Sequence, residues 1–157
     1  MALDDPTLKT DLRDLLDGTI AYPATAALAG PNWATVYGDY ALTGTANAVS
    51  PVEVAGARAT MGTSIGAGFA AGGGGAAVAA AITAALDAYW TAGITFAGAI
   101  SPPVPTGSVA LTAALTLIFS VIGGTHDSKA TEVRDAMAAY TKLVKVTFPG
   151  PADFFVV

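Results

Sequence analysis

The sequence predicts a mainly α-helical chain with a few short β-strands, an α+β single compact domain with a C-terminal strand. Three observations predict it. Apolar residues recur at the i, i+3, i+4, i+7 spacing of a buried helix face in several separate segments. Glycine and proline fall between those segments, where elements must stop. Strict alternation, the strand signature, is confined to Leu143–Phe148, which reads Leu-Val-Lys-Val-Thr-Phe. No fixed-period repeat is evident, so the 157 residues read as one domain, long enough to bury a core.

Residues 1–18 form an amphipathic N-terminal helix. Asp5 suits its cap and Pro6 its first position, Leu8, Leu12, Leu15 and Leu16 share one face, and Gly18 is the expected stop. Residues 19–50 read as a loop-rich aromatic segment, because Pro23, Gly30-Pro31, Gly38 and Gly44 interrupt any long element. Trp33–Tyr37 and Tyr40–Thr45 are candidate short strands there. Trp33, Tyr37 and Tyr40 suit an interface anchor, and they suit a core plug equally.

Residues 51–148 form a helical core ending in a strand. From Val52, the stripe Val54, Met61, Ile65 and Phe69 predicts a helix to about Phe69, followed by a break at the glycine run Gly72–Gly75. That run reads as a hinge or as a plain inter-helix loop. A second helix spans about Ala76 to Thr91, with Val78, Ile82, Leu86 and Tyr89-Trp90 inward, Asp87 outward and Gly93 at its end. Ile94–Ile100 reads as a short strand and Ser101–Pro105 as a rigid extended turn. Ser108 opens a helix through about Ile122, with Leu111, Leu115, Ile118 and Ile122 on one stripe and Leu117, Phe119 and Val121 on the other side. A helix apolar all round is expected to be buried, in protein or in lipid. Asp127 or Ser128 caps the last helix, whose inner face carries Val133, Met137 and Tyr140 and whose Lys129, Glu132, Arg134 and Asp135 are solvated. Pro149-Gly150-Pro151 stops the strand and leaves 149–157 as an apolar tail, Phe154-Phe155-Val156-Val157.

Charge narrows the function. Asp87 is the one formal charge among the 68 residues from Ala59 to His126, and charged residues make up 12% of the whole chain, about half the usual share. The net charge of −5 lacks the basic footprint of a phosphate-backbone binder, which argues against direct nucleic-acid binding. There is no cysteine, so thiolate metal sites and disulfides are excluded. The acidic start, Met1-Ala2-Leu3-Asp4-Asp5-Pro6, does not read as a signal peptide.

Catalytic, cofactor and metal sites are not expected. His126 is the single histidine and reads as a surface or capping residue; a metal site on His126 and Asp127 lacks further nitrogen ligands. Asp4-Asp5 and Asp14-xx-Asp17 read as the wet face of the first helix. Gly66-Ala-Gly68-Phe-Ala-Ala-Gly72 misses the dinucleotide fingerprint by one position and lacks the preceding strand.

A neutral stretch this long has to face other subunits, lipid or its own core. For lipid, Val104–Gly124 is the better window, yet its strongly apolar part, Val109–Ile122, is 14 residues against the roughly 20 needed to span. Gly62-xxx-Gly66 offers a small-residue packing motif that also arises by chance among 18 glycines. For assembly, obligate interfaces resemble a core cut in half and tolerate this composition. The run Ala84-Ala85-Leu86-Asp87-Ala88-Tyr89-Trp90-Thr91-Ala92-Gly93 with Phe96 and Gly98, and the ending Ala138-Ala139-Tyr140-Thr141-Lys142-Leu143-Val144-Lys145-Val146-Thr147-Phe148-Pro149, resemble small virion proteins of tailed phages and contractile injection particles. The resemblance covers the C-terminal half and carries over no site. It implies a non-enzymatic subunit of a tail, baseplate or head–tail junction, located in the particle and assembled in the host cytoplasm.

The expected function is therefore a structural subunit that contacts other subunits of the same particle and copies of itself. Its expected contact residues are Leu8, Leu12, Trp33, Tyr37, Tyr40, Phe154, Phe155, Val156 and Val157. Removing Phe154–Val157 is expected to block incorporation and leave the fold intact. The alternative is a small oligomeric membrane-associated protein anchored through Val104–Gly124.

Overall fold

The computed structural model describes residues 3–17, 25–121, 123–150 and 152–157. The expected stop at Gly18, the break at Pro23, the helix end at Ile122 and the final Pro151 of the strand stop lie outside the described residues. Among those described are six helices: α1 (Asp5–Leu16), α2 (Ala26–Thr43), α3 (Ala57–Ala71), α4 (Gly74–Gly93), α5 (Ser108–Ser120) and α6 (His126–Thr141). Short strands β1 (Pro51–Glu53) and β2 (Ile94–Phe96) pair antiparallel, with Val52 opposite Thr95. Strands β3 (Val104–Pro105), β4 (Val144–Thr147) and β5 (Asp153–Phe155) form an antiparallel sheet with β4 in the middle. The α+β class read from the sequence is the observed one.

Each helix packs on its neighbour in sequence and α1 closes on α6, so the helices make a closed circuit of contacts. The caps shift slightly from the expected residues. Asp4, not Asp5, caps α1 through the Thr7 amide, and Thr125 caps α6 in a capping box with Ser128.

The main correction is α2. Residues 26–43 are one continuous helix with Pro31 inside it, not a loop-rich segment with short strands. Gly30 is there for contact. A Cβ at Gly30 would collide with the Gly62 carbonyl oxygen and the Gly66 amide nitrogen, and one at Gly62 would lie 2.9 Å from Pro31 Cα. Gly30, Gly62 and Gly66 thus let the α2 and α3 backbones meet, so the Gly62-xxx-Gly66 motif is used inside the chain. Gly38 likewise leaves room for the Arg58 guanidinium, 2.7 Å from where its Cβ would stand.

Three further elements differ from expectation. Pro51–Glu53 is a strand and Val54 is exposed, so the α3 stripe begins at Met61. Gly72, Gly73 and Gly74 all have positive φ, which only glycine adopts freely, and they turn α3 back into α4. The apolar tail is not loose. β5 pairs with β4, the Val157 amide donates to Thr45 O at 3.0 Å, and the Thr45 amide donates back at 2.9 Å.

Candidate interaction surface

The circuit of helices encloses an aromatic centre whose polar atoms are matched pairwise. Trp90 Nε1 donates to Tyr37 Oη at 2.8 Å, and Tyr37 Oη lies 2.9 Å from Thr141 Oγ1, which itself donates to the Met137 carbonyl at 2.8 Å. Because Thr141 has spent its proton, Tyr37 is the donor to it, and the chain runs in one direction from α4 through α2 to α6. Trp33 stacks edge-on against Phe69 and Phe119, joining α2 to α3 and α5.

Three other phenols end on carboxylates. Tyr40 donates to Asp5 at 2.8 Å, Tyr89 to Glu53 at 2.8 Å and Tyr140 to Asp87 at 2.7 Å. Burial, reinforced by the neighbouring carboxylates, pushes all three phenols above their ordinary range, and burial does the same for Tyr37. They are permanent donors. This cluster of hydrogen bonds holds the helices together.

The expected contact residues divide. Leu8 and Leu12 are buried on the chain's own core, as are Trp33, Tyr37, Tyr40 and Val156; none presents a side chain to a neighbour. Trp33, Tyr37 and Tyr40 are a core plug. Phe154 is half-buried against Phe148, with ring centroids 5.7 Å apart, while Phe155 and Val157 are exposed. The expectation that the tail can be removed with the fold intact is therefore corrected: β5 and Val156 complete the sheet and core.

Asp87 is corrected too. It is half-buried and accepts from both Tyr140 and Ser108 Oγ, the latter at 2.8 Å, so it faces inward. In consequence, no exposed residue described between Ala59 and Thr125 is ionisable. The outer surface of α3 is largely Ala, Gly, Thr and Ser, and that of α4 is mainly Ala. On α5 it becomes frankly apolar. Leu111 and Leu115 seat the helix, but Val109 is 87% exposed, Leu117 69% and Val121, just beyond its end, 61%. The sequence showed that this helix is apolar all round; of its second face Phe119 packs on Trp33, while Leu117 and Val121 are uncovered in the isolated chain.

On one side of that face α5 and α6 form a groove of about 530 Å³, floored by Ala114, Leu117, Ile118, Val121 and Ala136. Its α6 wall carries Lys129, Glu132 and Asp135. The charges of the chain concentrate elsewhere. Along α1 and α6, Asp5 pairs with Lys142 at 2.9 Å and Lys9 with Asp127 at 3.0 Å, and His126 Nδ1 lies 3.8 Å from Asp17. Among the described residues no group of three or more His, Asp or Glu side chains is placed to hold a metal ion.

The arrangement can bind by apolar contact. No family model, curated protein or solved structure matches this chain.

Proposed function

We propose that the chain is a non-enzymatic structural subunit of a large protein assembly, a tail or baseplate component of a phage or phage-like particle. One observation carries the reading. Among the described residues from Ala59 to Thr125 no exposed side chain is ionisable, and Val109, Leu117 and Val121 are largely exposed. Exposed apolar patches of this kind mark interaction sites, and a free monomer bearing one tends to aggregate. The particle type comes from the resemblance of residues 84–98 and 138–149 to small virion proteins.

A membrane-associated protein anchored through Val104–Gly124 draws on the same exposed residues. Against it, that window is divided into β3, a turn and the 13-residue α5, whose length of roughly 20 Å falls short of a hydrocarbon core of about 30 Å. No helix among the described residues is long and apolar enough to cross a membrane.

Sedimentation of the native protein without detergent, followed by mass spectrometry of the co-migrating fraction, tests the reading. Migration in a megadalton fraction with tail or capsid proteins is expected. Recovery only in a membrane pellet, released by detergent, would overturn it.

A further inference from the structure

We infer that the groove between α5 and α6 receives an amphipathic helix with a basic flank from a neighbouring, different subunit. The inference rests on the assembly reading and names the chemistry of one contact within it.

The floor sets the shape of the occupant. Ala114, Leu117, Ile118 and Val121 fall at i, i+3, i+4 and i+7, and so form a ridge about 10 Å long with Ala136 opposite. That length matches two turns of a helix, whose own ridge of apolar side chains fits such a groove. A strand would need a free backbone edge to pair with. Apart from Val121, just past the end of α5, the groove is built from helical residues and presents no strand edge among them.

The rim sets its charge. Lys129 Nζ is drawn down onto the Ile118 carbonyl near the end of α5, at 2.9 Å, and its side chain is 20% exposed. Asp135 is paired at 2.7 Å with Arg134, which does not line the groove. The acids are the more exposed charges of the rim: the Glu132 side chain is 51% exposed and that of Asp135 63%, against 20% for Lys129. An incoming surface therefore meets two carboxylates first, and Lys or Arg beside its apolar stripe is the complementary arrangement. The one base beside the same groove on a second copy is Lys129, which is already held by the Ile118 carbonyl and Glu132, so a second copy does not supply the basic flank and the occupant is a different subunit.

The test uses two synthetic helical peptides with the same Leu stripe at i, i+3, i+4 and i+7, one flanked by Lys and the other by Glu. Binding to the full chain is read by fluorescence anisotropy. The Lys-flanked peptide should bind, and the Glu-flanked one should bind about tenfold more weakly, an effect that shrinks with salt. Glu132→Lys with Asp135→Lys should reverse the preference. Leu117→Asp should abolish binding of both peptides, with the circular dichroism spectrum unchanged because Leu117 is exposed. Equal affinity for the two peptides, an unreversed preference or no binding would each overturn the inference. So would concentration-dependent dimerisation, or binding to phosphatidylserine vesicles, that is lost in Leu117→Asp; these would assign the groove to a second copy or to lipid. If the peptides fail while the native chain still sediments with a particle, the groove assignment falls and the assembly reading stands. If the peptides behave as expected while the native chain sediments alone, the assembly reading falls.

Discussion

The Tyr140 hydroxyl donates to Asp87 Oδ1 at 2.7 Å, tying α6 to the single charge carried by α4 and α5. Ser108 Oγ reaches the same oxygen at 2.8 Å from the start of α5. A hydrogen bond to a charged group contributes about 1.5–3 kcal/mol. Tyr140→Phe should therefore lower stability in urea melts by about that amount. Asp87→Ala should cost more, because it strands two donors. A double-mutant cycle should give a coupling above about 0.5 kcal/mol. Strictly additive effects would mean that the contact carries no stabilisation of its own.

The α2–α3 contact makes a prediction of opposite sign to helix propensity. Replacing glycine by alanine in a helix interior normally stabilises by about 1 kcal/mol. At Gly30 the new methyl would collide with backbone atoms of Gly62 and Gly66, which cannot move away as a side chain tip can. Gly30→Ala should instead destabilise by about 1–3 kcal/mol, the usual range for overpacking. Ala67→Gly, on the exposed side of α3, should lose only about 1 kcal/mol. A stabilised Gly30→Ala protein would show that the two helices can separate without loss.

The same residues explain what was legible in the sequence. Stripes of large apolar residues located α1, α4, α5 and α6, and alternation located β4, because burial writes those periods into the chain. α2 was hidden because its buried face includes Gly30 and Gly38, residues that ordinarily mark breaks and here make room for Gly62 and for Arg58. Asp87 was misplaced outward because its partners lie 21 and 53 residues away, beyond any local pattern. For the candidate surface, the apolar character of Val109, Leu117 and Val121 was readable. Their exposure depends on which face of α5 meets α4 and α6, and that is a tertiary choice.

The C-terminal strand is part of the core. Val156 is fully buried, whereas the adjacent Val157 is held by its backbone pairing with Thr45 and its side chain is exposed. Val156→Ala should destabilise by about 1.5–3 kcal/mol, and Val157→Ala should stay within about 0.5 kcal/mol. Deleting Phe154–Val157 should lower the melting temperature more than either, since it also strips Phe148 of its ring partner. A truncated chain that melts like the full one would return the tail to the surface.

Asp5 links α1 to two other helices, accepting from Tyr40 on α2 and from Lys142 just past α6. Burial favours its neutral form, but the hydrogen bonds from Lys142 and Tyr40, with the charges of Lys142 and Arg134, outweigh it and hold the carboxyl below its ordinary range. A depressed carboxyl stabilises the fold above its unfolded pKa of about 3.9, and that contribution is lost as pH falls through the folded value. Lys142→Met removes one of the partners. Because Lys142 is about half exposed, the variant should be less stable than wild type by only about 0.5–1 kcal/mol at pH 6–7. The gap should close on acidification as Asp5 protonates in both proteins. Urea melts across that pH range provide the check, and a gap that stays constant down to the acid limit would show that Lys142 acts through its packing rather than through Asp5.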